Sequence, residues 1–180
     1  MTSLERLSPH PWRYFVALGD SFTEGIGDPA DGFENRGAID QFAARLRRAV
    51  PETRYVNLAR RGLLALEILE EQLQPALKLE PDLVSVIAGA NDILKPRYDF
   101  ERYAASMRTL FDALHTRRIS FFTSNSPTFP IIKTLPQPHC EAMLLRIAEV
   151  NAFIALLSDE YGVAMLDAWG YSEHAPMTHW

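Results

Sequence analysis

Cysteine is nearly absent: Cys140 is the one cysteine in 180 residues. That excludes an internal disulfide framework and, without other ligands at suitable spacing, a structural zinc site. Positive charge is also scarce, with 18 Lys and Arg against 23 Asp and Glu and a net charge of −5. No basic run is long enough to track a phosphate backbone, so nucleic acid is not an expected partner. No segment approaches the ~20 apolar residues of a membrane span. Residues 1–13 carry Glu5 and Arg6 and no apolar run of signal-peptide length, so the expectation is a soluble, cytoplasmic chain. A hydrophobic share of 47% with 23% charged residues makes extensive disorder unexpected. The length fits one domain, residues 1–180, able to bury roughly 70% of the unfolded chain's surface.

What is present alternates between strand and helix. Residues 14–18, Tyr-Phe-Val-Ala-Leu, read as a buried strand that runs into Gly19, Asp20 and Ser21. A hydroxyl is thereby delivered where an apolar strand gives way to a polar turn, the place where an α/β protein puts its chemistry. Gly-Asp-Ser is equally ordinary turn and N-cap composition, so this stretch alone leaves the serine's role open. The glycine-rich residues 25–30 match a dinucleotide fingerprint only loosely. In that fingerprint the first glycine follows the strand directly, whereas here Gly25 lies well past Leu18 and Pro29 interrupts the turn.

Residues 38–50 place Ile39, Phe42, Ala43, Leu46 and Ala49 at helical spacing and stop at Pro51. Residues 53–58 are a β-branched and aromatic strand, left by the turn at 57–62. A second helix should pack along Leu66, Leu69, Leu73 and Leu77. Residues 82–88 are apolar enough for a central parallel strand and empty into Gly89-Ala90-Asn91-Asp92. Then come a helix over 99–117, a strand over 119–123, a proline-rich loop over 127–138, a helix over 141–161 ended by Gly162, and a short strand over 163–166 ending at Asp167. Five strands joined by helices of crossover length predict a parallel sheet covered on both faces, with right-handed crossovers.

Three loops at strand C-terminal ends then bring Ser21, Gly62 and Asn91 to one edge of that sheet. A hydroxyl nucleophile, a backbone N–H at a residue without Cβ and a side-chain amide are the parts of an acyl-transfer site, because the ester carbonyl oxygen needs donors as it becomes an oxyanion. Each of the three is also a common turn residue.

Gly19-Asp20-Ser21-Phe22-Thr23-Glu24-Gly25, residues 57–62 and Gly89-Ala90-Asn91-Asp92 resemble, in order, the first three blocks of the SGNH (GDSL-type) hydrolases. The resemblance covers the chain from about residue 12 to its end. It implies a three-layer α/β/α sandwich with a five-stranded parallel sheet, a flavodoxin-like arrangement, and a small-molecule ester as substrate, with no metal or organic cofactor. It makes Ser21 the nucleophile and assigns the oxyanion hole to the N–H of Ser21, the N–H of Gly62 and the side chain of Asn91. The ordinary α/β-hydrolase elbow is a different motif, with glycine two residues after the serine, where this chain has Thr23.

The family's fourth block, Asp-x-x-His, supplies the general base and its orienting acid, and it does not occur in the C-terminal region. Asp112-Ala-Leu-His115 has the spacing but falls within a predicted helix, where both polar residues read as surface. The expectation is a domain lacking its final helix, with slow or no ester turnover and apolar sheet surface left uncovered. His174 and His179 are alternative bases, with Glu173 or Asp167 nearby to orient them. The adjacent His139 and Cys140 do not make a dyad, and Cys140 reads as a packing residue. Two further readings stand beside ester hydrolysis: a catalytically silent domain that binds ester-like ligands without a base, and a nucleotide-binding module on the same sheet.

Overall fold

The computed structural model describes residues 10–25, 37–127, 132 and 134–168. In chain order the elements are β1 (Tyr14–Gly19), α1 (Ser21–Glu24), α2 (Ala38–Ala49), β2 (Arg54–Asn57), α3 (Ala65–Lys78), β3 (Leu83–Ile87), α4 (Ala90–Leu94), α5 (Phe100–Thr116), β4 (Ser120–Ser124), α6 (Gln137–Tyr161) and β5 (Ala164–Leu166). The strands form one sheet in the order β2-β1-β3-β4-β5, and every pairing is parallel. This is the flavodoxin-like strand order of doubly wound α/β proteins.

β1 and β3 occupy the middle because they carry no charge and bury every residue. Alternate side chains point to opposite faces. Val16, Leu18, Val84, Val86 and Phe121 face the layer of α3, α5 and α6. Phe15, Ala17, Leu83, Ile87 and Phe122 face α2, which meets them with Ile39, Ala43 and Leu46. Among the described residues α2 is the one helix contributing to that second cluster, and an apolar groove of about 580 Å³ runs beside it, bordered by Phe42, Phe122, Ala164 and Leu166. The start of β1 is held by the Asp82 carboxylate, which accepts from the N–H of Arg13 at 2.8 Å and of Tyr14 at 2.9 Å.

The expected architecture is observed, with three local differences. α3 does not bury its leucine line most deeply: Ala65, Ile68, Gln72, Leu73 and Ala76 are buried, while Leu66, Leu69 and Leu77 are half-buried. Small residues let α3 approach β1 and α5 closely, so the leucines flank the contact. α6 begins at Gln137, inside the expected proline-rich loop, because Pro138 falls in its first turn, where a missing N–H costs nothing. α1 and α4 are too short to show any period in the sequence, yet they hold the residues described next.

Candidate active site

β1 ends at Gly19 and α1 starts at Ser21, so the strand hands over to a helix within two residues. Asp20 makes this possible as the N-cap: its Oδ1 accepts from the N–H of Phe22 at 3.0 Å. Ser21 is exposed at the rim of a cavity of about 230 Å³. Phe22, Ile87 and Ala88 line one part of the cavity, and Ser124, Asn125 and Ser126 at the end of β4 line another.

The other Asp20 oxygen reaches the third strand's loop. Asn91 Nδ2 donates to Asp20 Oδ2 at 3.1 Å and to the Leu63 carbonyl at 3.0 Å. One carboxylate thus fixes both the helix that carries Ser21 and the amide of Asn91. Both N–H groups of that amide are engaged, so an oxyanion would have to compete with the Leu63 carbonyl for one of them. Asn91 sits in the first turn of α4, whose N-cap, Gly89, has φ +122°. A Cβ on Gly89 would lie 2.9 Å from Tyr103 Cε2, so the turn requires glycine both sterically and conformationally.

The loop after β2 is sewn to α1 by side chains. Asn57 Nδ2 donates to the Thr23 carbonyl at 2.8 Å while its Oδ1 accepts from the N–H of Ala59 at 3.0 Å. Glu24 Oε2 accepts from the N–H and Nε of Arg61 at 2.9 and 3.1 Å. Gly62 follows with φ +82° and open space where a Cβ would stand. The sequence argument valued glycine here for close substrate approach; the backbone conformation is the stronger reason.

Asp20 is 1% exposed, and burial raises its pKa above the ordinary value, offset by the N–H of Phe22. Asp92 is raised by burial as well, offset by the N–H of Ala65, which donates to its Oδ2 at 3.1 Å; the neighbouring Asp20 and Glu67 charges push it further up. A carboxyl whose folded pKa is raised binds its proton more tightly when folded. Its contribution to stability is therefore full below the unfolded value and falls as pH rises through the folded one. Asp92→Asn keeps an acceptor for Ala65 and removes the buried charge. The expected result is a chain more stable than the parent at pH 7, with a flatter decline from pH 4 upward, measured by urea unfolding across that range.

The remaining sequence candidates fall elsewhere. Asp112 and His115 are exposed on α5, where Tyr161 donates to Asp112 and packs edge-on against His115. His115 borders a groove with Ser120, at the start of β4 and so at the opposite edge of the sheet from Ser21. Cys140 is half-buried and packs against the core as a small apolar residue. His174 and His179 lie outside the described residues, and among those described no histidine lines the Ser21 cavity. Asp20, read from the sequence as hydrogen-bonding its loop, does so through Phe22; Glu24 is a site residue that the sequence argument did not assign, since its partner Arg61 lies 37 positions along the chain. At the end of β4, Asn125 Nδ2 donates to Asp167 Oδ1 at 2.8 Å, fixing the cavity's far wall to the end of β5. No helix among the described residues is long and apolar enough to cross a membrane.

A doubly wound parallel sheet carrying serine, glycine and asparagine at the ends of its first three strands in chain order is the arrangement that the resemblance to SGNH hydrolases implies. The chain belongs to the GDSL-like lipase/acylhydrolase family, whose family model matches residues 17–179. No curated protein matches the sequence. Solved structures share the fold. LAE5, an alpha/beta hydrolase enzyme from the metagenome of Lake Arreo, Spain, superposes with a TM-score of 0.69 at 19% identity, over 93% of this chain and 82% of that one. Axe2, an acetylxylan esterase from Geobacillus stearothermophilus, gives 0.65 at 18% identity over 89% and 78%. AlinE4, an SGNH-hydrolase family esterase, gives 0.68 at 17% identity over 94% and 82%.

Proposed function

We propose that this chain hydrolyses carboxylic esters of small molecules through an acyl-enzyme on Ser21. The observation that carries the reading is the Asp20 carboxylate, which caps the helix of Ser21 and binds the amide of Asn91. A nucleophile and an oxyanion donor held by the two oxygens of one buried group are preorganised relative to each other, which is what acyl transfer needs.

In this reading Ser21 Oγ attacks the ester carbonyl carbon and its proton passes to a base. The carbonyl oxygen becomes an oxyanion bound by the N–H groups of Ser21 and Gly62 and by Asn91 Nδ2. Collapse expels the alcohol, which takes up the proton, and water repeats the sequence on the acyl-enzyme to release the acid. His174 and His179 are the candidates for the base. Axe2 and AlinE4 are both named as esterases, which supports an ester substrate on the shared fold.

The test is covalent. A fluorophosphonate probe should add to the chain at one site, and peptide mass mapping should find the adduct on the peptide containing Ser21. An adduct on any other serine would remove Ser21 from the role. Parallel labelling of His174→Ala and His179→Ala identifies the base as the variant whose labelling rate collapses.

A further inference from the structure

We infer that Gln72 is a positioning residue for the proposed hydrolysis, acting in place of a missing piece of strand at the foot of the nucleophile; the inference rests on Ser21 being that nucleophile. In a parallel ladder each residue's N–H and C=O point to the same neighbour. Ala17 pairs with Asn57 of β2, and the N–H of Leu58 donates to the Ala17 carbonyl at 2.9 Å. Two residues on, Gly19 faces the same side, where a continuing ladder would offer it the Leu58 carbonyl as acceptor and the N–H of Arg60 as donor. The Arg60 bond survives at 3.2 Å. The acceptor has been replaced: the N–H of Gly19 donates to Gln72 Oε1 at 2.9 Å, and Gln72 Nε2 donates back to the Gly19 carbonyl at 2.9 Å.

A carboxamide closes this two-bond ring without having to bind a proton, since it pairs a neutral acceptor with a donor. Glutamate would present a carboxylate oxygen to the Gly19 carbonyl, and methionine would leave a buried N–H without a partner. Gln72 is 4% exposed and comes from α3, with no contact to the Ser21 cavity. Its effect is on geometry. The Gly19 carbonyl is shared between Gln72 Nε2 and the N–H of Arg60, so one oxygen ties together the strand end two residues before Ser21 and the loop two residues before Gly62. The nucleophile and the proposed backbone oxyanion donor take their relative placement from that point. Gly19 has no slack to compensate, because even a Cβ would lie 2.3 Å from Thr23 Oγ1 and 2.7 Å from the Ile87 carbonyl.

The experiment compares Gln72→Met with Leu73→Ala, its buried neighbour on α3, and with Ser21→Ala. Misplacing catalytic groups by about 1 Å costs up to roughly 10²-fold. Gln72→Met is therefore expected to lower kcat for a short-chain aryl ester 10- to 100-fold with KM within about two-fold, and to shift the Ser21, Arg60 and Gly62 amide resonances in ¹⁵N spectra. Leu73→Ala, which opens a cavity in the core, should lower the melting temperature at least as much while leaving kcat and those resonances near the parent's. Parent-like kcat or, where turnover is too slow to measure, parent-like Ser21 and Gly62 resonances in Gln72→Met overturn the inference. So does an equal loss of kcat in Leu73→Ala. Turnover that survives in Ser21→Ala would instead defeat the nucleophile assignment, while the resonances would still report whether Gln72 places the loop.

Discussion

Ser21→Ala is expected to reduce hydrolysis of a short-chain aryl ester by several orders of magnitude while leaving the melting temperature nearly unchanged. Removing the nucleophile of a serine hydrolase costs on the order of 10⁶-fold in kcat, because no other group can form the acyl-enzyme. What survives is binding and oxyanion stabilisation, worth at most roughly 10³- to 10⁴-fold over water. The fold should be indifferent to the change. Ser21 is exposed, the cap of α1 belongs to Asp20, and the N–H of residue 21 is present in both forms. A surface substitution of this kind normally moves stability by about 0.5 kcal/mol or less. The paired measurement is a rate with a thermal melt, and a variant that keeps more than a tenth of the parent rate excludes Ser21 as nucleophile.

Asn91→Ala should be the second most damaging change, and it should act on two observables. Deleting one oxyanion donor costs roughly 10²- to 10³-fold in kcat. The Leu63 carbonyl already holds one Asn91 hydrogen, so the donor gives up a bond worth about 1 kcal/mol to serve the oxyanion. That offsets a factor of about five and puts the expected loss near the lower end, about 10²-fold, with KM little altered. The alanine also strips Asp20 Oδ2 of its Asn91 donor. An abandoned buried acceptor costs about 1–3 kcal/mol, so the urea midpoint should fall as well. Kinetics taken well below the melting range separate the two effects, and a change confined to KM would make Asn91 a ground-state binding residue.

The sheet was legible because its signal is local. β1 and β3 are continuous apolar runs, α5 has a clear helical period, and the stretches that follow β1, β2 and β3 carry residues whose types already suggest acyl transfer. The parts that escaped depend on contacts distant in sequence. Asp20 and Asn91 bond across 71 positions, Glu24 and Arg61 across 37, and Gly19 and Gln72 across 53. No periodicity records such pairs. The α3 leucine side is observed, with Leu73 buried and Leu69 and Leu77 packed against the core; what escaped is that close approach of a helix to a strand selects alanine and, at one turn, a carboxamide. α1 and α4 span about one turn each and exist because of their caps and neighbours, so propensity had nothing to act on.

The strand order also has a consequence for synthesis. β1 is the second strand of the finished sheet but the first to be made, and its partners on the two sides appear at different times. When β2 has emerged and paired, the other edge of β1, from Phe15 to Gly19, still awaits β3. At ribosomal speeds of about 5–20 residues per second, the roughly 30 residues between Asn57 and Ile87 take about 1.5–6 s to add. Through that interval a fully buried apolar strand presents an unpaired edge, a template for pairing with another nascent chain. Asp82 arrives just ahead of β3 and takes the N–H groups of Arg13 and Tyr14, so the seam closes from the end remote from the active site. A pause that leaves β2 but not β3 outside the ribosome should therefore raise the aggregated fraction more than an equal pause with residues 1–124 all outside it, when β1 and β3 have both their neighbours.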